Sequence, residues 1–119
     1  MGMTFVELEI RKSRASKKAV SAQFLVDSGA AYTVAPGKML RRLGIRPDDE
    51  QSFFLANDEK VTRKVGEAYF TYEGKAGTSK VIFGQKGDSN LLGALTLEAM
   101  GLVLDPLKRE LKPLPMLLM

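Results

Sequence analysis

The chain begins with an alternating pattern. Between Thr4 and Ile10, the apolar residues Val6, Leu8 and Ile10 alternate with Glu7 and Glu9. A period of two predicts a strand with one buried face. The polar, basic stretch from Arg11 to Lys18 predicts a hairpin turn, and Ala19 to Val26 a second strand. That strand ends in Phe24-Leu25-Val26, a continuous apolar run expected to be buried on both faces. Asp27-Ser28-Gly29 then punctuates the chain as a turn. Thr33-Val34 re-enters the sheet before Pro36. Gly37 to Leu43 has the length for one or two helical turns, closed by Gly44.

Pro47 to Gln51 reads as an acidic loop. Beyond it, Ser52 to Ala56, Val61 to Lys64, Ala68 to Glu73 and Ser79 to Phe83 are short apolar or β-branched runs. Asn57-Asp58, Gly74 and Gly77 lie between them as turn signals. The last third changes character. Asp88-Ser89-Asn90 reads as a loop and Leu91-Leu92-Gly93 as a short apolar run. Ala94 to Met100 is helical in composition, with Gly101 as its C-cap. Leu102-Val103-Leu104 predicts a strand, Asp105-Pro106 a turn, and Glu110 to Pro113 a return strand. Many short strands parted by turn signals predict an all-β barrel or sandwich with one short C-terminal helix. With no repeat or linker, one domain is expected over residues 1–119, with Met1 to Met3 extraneous to it or disordered.

Composition narrows the chemistry. The chain has no cysteine and no histidine. Disulfides, thiol catalysis, thiolate or imidazole metal sites and histidine general bases are thereby excluded. A hydrolase built on this chain must use carboxylates, lysine, or a hard metal held by carboxylates. No cofactor is implied. Asp48-Asp49-Glu50 is expected to be a solvated loop, because three consecutive acids cannot converge on one ion; no metal site is expected. Gly84-Gln85-Lys86-Gly87 lacks the full phosphate-loop pattern. The net charge is +4, and Arg11, Lys12, Arg14, Lys17 and Lys18 form a basic cluster. Without interleaved aromatic residues it reads as a solvated turn, and no nucleic-acid partner is expected. No apolar run has membrane-spanning length and no secretory pattern is present, so the expected location is cytoplasmic, with no membrane partner.

One carboxylate stands out. Asp27 directly follows the strongest buried-strand candidate, where its charge costs desolvation unless it is hydrogen-bonded or partnered. Gly29 lets backbone approach closely and leaves its amide unobstructed. Such a setting suits a general acid or base.

Phe24-Leu25-Val26-Asp27-Ser28-Gly29-Ala30 resembles the active-site signature of retropepsin-like aspartic proteases. About 65 residues on, Leu91-Leu92-Gly93 resembles that family's second signature, which closes the core beneath the active-site loop, and a helix containing Leu95-Thr96-Leu97-Glu98 follows. The ending Gly101 to Pro106 is similar to small microbial members. The resemblance implies a retropepsin-like β-barrel lobe, active as a homodimer. Asp27 would then be the catalytic residue. Its second carboxylate would come from Asp27 of another subunit, since no other aspartate here is followed by Ser/Thr-Gly. It also implies that Ser28 hydrogen-bonds across the twofold axis, that Gly29 and Ala30 support the loop, and that the substrate is a peptide or unfolded protein. By position, Ala56, Asn57, Asp58 and Glu59 are the candidate tip of a flap, which lacks the family's usual glycines. The apolar tail from Leu111 to Met119 is expected at the subunit interface. Two other readings remain. One is a non-catalytic peptide-binding or dimerisation module of the same fold; the other is a basic β-barrel that binds nucleic acid.

Overall fold

The computed structural model describes residues 3–115. Along them run β1 (Phe5–Arg11), β2 (Ala19–Val26), β3 (Thr33–Pro36), α1 (Gly37–Arg42), β4 (Asp49–Phe54) and β5 (Lys60–Tyr72). Then come β6 (Lys75–Gly84), β7 (Leu91–Leu92), α2 (Ala94–Met100), β8 (Leu102–Asp105) and β9 (Glu110–Pro113). The alternation in β1 behaves as its period predicts, and Val6, Leu8 and Ile10 are buried. β1 pairs antiparallel with β2, setting Val6 opposite Phe24 and Ile10 opposite Val20.

The large sheet runs β1-β2-β7-β3-β6-β5-β4, and β1 also pairs with β5. That extra pairing closes six strands into a ring and leaves β4 outside it. The ring encloses a core built on Phe24, Phe70, Leu8, Ile10, Leu40 and Leu92, all fully buried. The predicted all-β architecture and its C-terminal helix are present, and α1 supplies the short helix expected after Pro36. Gly44 ends α1's segment at φ +83 and Gly101 caps α2 at φ 72, left-handed values that suit glycine. β8 and β9 form a separate hairpin beside α2.

Three expectations are corrected. Val61–Lys64 and Ala68–Glu73 are not separate strands but parts of β5, a strand of 13 residues. Gly66 is no break: a Cβ there would lie 3.0 Å from the Arg46 carbonyl oxygen and 3.1 Å from the Phe83 ring. It is glycine because backbone and ring crowd it. Gly77 likewise lies within β6, pressed against Ala99 of α2, so of these two glycines Gly74 alone makes a turn. The acidic loop is mostly strand, since Asp49 and Glu50 pair with Val65 and Lys64 in the β4–β5 ladder. A Lys64–Glu50 ion pair at 3.2 Å shows why charge does not oppose strand there.

β5 therefore changes partners along its length. From Lys60 to Val65 its neighbour is β4, and from Tyr69 to Thr71 it is β1. The β4–β5 hairpin continues past the ring as a two-stranded arm. No helix among the described residues is long and apolar enough to cross a membrane. The tail expectation falls partly outside the described residues. Within them Leu111 is buried, and the Leu114 amide donates to the Gly101 carbonyl at 2.8 Å.

Candidate active site

The Asp27 loop is held from below by main chain. β7 lies parallel to β2, with Leu25 opposite Leu91 and Val26 opposite Leu92, and Leu91 also pairs with Val34 of β3. The two strands flanking the loop are thus joined through Leu91 and Leu92. The Asp27 amide donates to the Leu92 carbonyl at 2.9 Å. The Ala94 and Leu95 amides donate to the carbonyls of Ala30 and Ala31 at 2.8 and 3.0 Å, so the first turn of α2 grips the loop's far side.

Gly93 makes this grip possible. A Cβ there would sit 2.6 Å from the Tyr32 carbonyl carbon and oxygen and 2.8 Å from the Ala31 carbonyl oxygen. Its amide donates to the Thr33 hydroxyl at 3.0 Å. Thr33 meets Thr96 of α2 at 2.5 Å, and the Thr96 hydroxyl donates to that of Ser79 at 3.0 Å. All three side chains are buried. A closed chain of hydroxyls therefore ties β3, α2 and β6 beneath the loop, with its polar groups satisfied.

Above this support the Asp27 carboxylate is half-buried, and its Oδ1 accepts the Gly29 amide at 3.1 Å. The Ala30 amide donates to the Asp27 carbonyl at 3.1 Å, closing the turn. Ser28 and Gly29 are exposed. The sequence-predicted residues Asp27, Ser28, Gly29, Ala30, Leu91, Leu92 and Gly93 thus come together as one unit.

A groove of about 640 Å³ opens beside the loop. Ala30, Ala31 and Tyr32 form one side, and Phe53, Phe54, Leu55 and Val61 of the β4–β5 arm overhang it. Tyr32 and Phe53 meet edge to face at 6.0 Å. The arm's tip is formed by Ala56 to Glu59. The Asp58 amide donates to Leu55, the Leu55 amide to Glu59, and the Glu59 amide to the Asn57 side chain. Asp58 sits at φ 66, a conformation aspartate tolerates better than most residues. Ala56, Asn57, Asp58 and Glu59 do not line the groove; the apolar residues on either side of them do.

No sequence pattern signals the ion pair on the groove's wall. Arg63 donates to both carboxylate oxygens of Asp88, from Nε at 2.8 Å and from Nη2 at 3.1 Å. Asp88 also accepts the Gln85 amide at 2.8 Å. The guanidinium, in bidentate contact, holds the Asp88 carboxyl below its ordinary value and raises Arg63 in return. Arg63 belongs to the arm and Asp88 to the β6–β7 loop, so the pair joins two walls of the groove. The partners are too far apart in sequence for any spacing rule to pair them. Thr33 left a faint trace, a polar residue inside a β-branched run.

The closed strand ring, the looped aspartate and the overhanging hairpin define an all-β protein of retropepsin-like fold. Among solved structures, the chain is similar to the protease of Simian Foamy Virus (mac), determined in solution. The TM-score is 0.55 and the identity 21%, over 82% of this chain and 92% of that one. No family model and no curated protein matches the chain.

Proposed function

We propose that the protein is an aspartic endopeptidase that works as a homodimer, with Asp27 contributed by each subunit. The observation that carries this reading is the carboxylate's setting. Asp27 is presented on a loop anchored by main-chain bonds from both β7 and α2, and the same loop lines an apolar groove with Ala30 and Ala31. Such rigidity suits a group that must hold a water in place. One carboxylate cannot act as both acid and base toward the same water. A second is needed facing it, and a twofold axis beside Asp27 and the exposed Ser28 supplies it. Two carboxylates at that distance share one proton, as aspartic-protease dyads do. The ionised one takes a proton from water, and the protonated one donates to the scissile carbonyl. The hydroxyl adds to that carbon, and the tetrahedral adduct collapses as the amine leaves with a proton. Peptide lies extended beneath the β4–β5 arm, its apolar side chains against Tyr32, Phe53 and Leu91.

An apolar groove of about 460 Å³ adjoins Ser28, lined by Ala94, Leu97, Val103 and Leu104 among others. It is the natural seat for the second subunit, continuous with the Asp27 loop. A second reading, a non-catalytic peptide-binding module, draws on the arm's tip, a compact turn without glycine.

The test is digestion of a diverse mixture of unstructured peptides from mildly acidic to neutral pH, with cuts located by mass spectrometry. Cleavage by the native protein, absent in Asp27→Asn and rising faster than linearly with concentration, supports the peptidase. Peptide binding without cleavage, by protein shown to be a folded dimer, favours the module.

A further inference from the structure

Folding gathers the chain's positive charge at the end of the barrel away from Asp27. The turn between β1 and β2 carries Lys12, Arg14, Lys17 and Lys18. Beside it lies α1 with Lys38, Arg41 and Arg42, followed by Arg46. The two groups touch. The Lys18 ammonium donates to the Arg42 carbonyl at 2.6 Å, and the Lys12 side chain passes over Gly44. Lys18, Lys38 and Arg42 line one hollow, and Lys12, Arg14 and Arg46 line the next. The eight residues of β2 lie between Lys18 and Asp27, which puts the face roughly 30 Å from the carboxylate.

This face differs from the rest of the surface. Off the face, four of the ten cations are paired with acids: Arg11–Glu9, Arg63–Asp88, Lys64–Glu50 and Lys112–Asp105. None of the eight cations here has an ion-pair partner among the described residues. Asp48 and Glu67 are the acids that border the face. Eight of the chain's 18 basic residues lie here, which leaves ten to face 14 acidic residues over the remainder. A surface built for solubility intersperses the two signs; gathering one sign costs self-repulsion. Two of the arginines are also held in place. Arg14 lies over the Tyr69 ring at 5.8 Å and Arg41 over Phe83 at 5.1 Å. Stacking fixes a guanidinium plane while leaving N–H groups free to donate, which lowers the entropy lost on binding.

We infer that this face is a docking site for nucleic-acid phosphates, independent of any activity at Asp27. By sequence no nucleic-acid partner is expected, because no aromatic residues interleave the basic cluster. That absence excludes base stacking, and the folded face needs none: it offers cations alone. Recognition is therefore of backbone charge without base sequence. A bilayer suits the face less well. Among the described residues, none of the exposed large apolar ones, Met3, Phe5, Phe54, Leu55, Leu95 and Leu107, lies on it to anchor in lipid. Its distance from Asp27 leaves the groove open while a polyanion is bound.

The test is fluorescence anisotropy with the full chain at 50 and 200 mM salt. The probes are a labelled 20-nucleotide oligouridine and a mixed 20-base-pair DNA duplex. Phosphatidylserine-containing vesicles and polyglutamate serve as rival anions. With about four phosphates neutralised, affinity for the oligonucleotides should fall about 100-fold across that salt range. Lys17→Gln/Lys38→Gln/Arg42→Gln should weaken binding at least tenfold and flatten the salt slope, with the melting temperature unchanged. Lys75→Gln/Lys86→Gln/Lys108→Gln, equal in charge but off the face, should bind as the native chain does. Absence of binding at 50 mM salt, equal weakening by both triple variants, or tighter binding of vesicles or polyglutamate than of either oligonucleotide would overturn the assignment.

Discussion

At position 93 the chain has no room for a methyl group. Gly93→Ala would drive a Cβ into the main chain of Ala31 and Tyr32, and main chain held by its own hydrogen bonds yields little. The expected cost is about 3 kcal/mol, read from the urea midpoint; a cost below about 1 kcal/mol would mean the loop relaxes freely. Thr33→Val keeps the volume but removes the acceptor of the Gly93 amide. In a buried site that should cost about 1–3 kcal/mol. Asp88 gives a pH signature. Its folded pKa lies below the ordinary 3.8, so its stabilisation is present above that value. It is lost as pH falls through the lower folded value. Asp88→Asn should therefore cost about 1 kcal/mol near pH 7 and less near pH 2. Urea unfolding at both pH values checks it, and an equal loss at both would remove the charged pair from the explanation.

At the scale of elements, β5 divides into two regimes. Lys60 to Lys64 pairs with β4 alone, whereas Val65 to Tyr72 pairs with β6 and, in part, with β1. Amide exchange should separate them. Residues 61–64 should exchange through local opening of the arm, and 68–71 only with global unfolding. Uniform protection along the strand would show that the arm moves with the barrel. How far the sequence revealed these elements follows from the same physics. Strands with one clean buried face, such as β1, were legible because period two and burial coincide. The Asp27 loop was legible because its residues are contiguous. Gly77 reads as a turn signal because glycine marks both turns and crowded backbone, and only a neighbour distinguishes them. For Gly77 the neighbour is Ala99, distant in sequence. The Arg63–Asp88 pair and the basic face share that origin, since each joins segments that meet only on folding.

At the scale of the whole molecule, the proposed dimer makes activity a property of concentration. Val103 lines the groove next to Ser28 and is partly exposed. Val103→Arg should place a charge in the interface, shift sedimentation from dimer to monomer, and abolish cleavage, while leaving the monomer's melting temperature within a few degrees. A variant that stays dimeric would locate the twofold axis elsewhere.

The changing partners of β5 also bear on how this barrel can be altered. The arm's ladder runs through six residue pairs, from Asp49–Val65 to Phe54–Lys60, before the tip begins. Residues 55–59 are in effect an exchangeable cassette. Tips of other length or composition can be grafted between Phe54 and Lys60 while the ladder keeps its register and the seam between β1 and β5 stays in place. On the proposed peptidase reading, preference could then be varied through Leu55, the cassette residue that lines the groove, leaving the fold-determining residues unchanged.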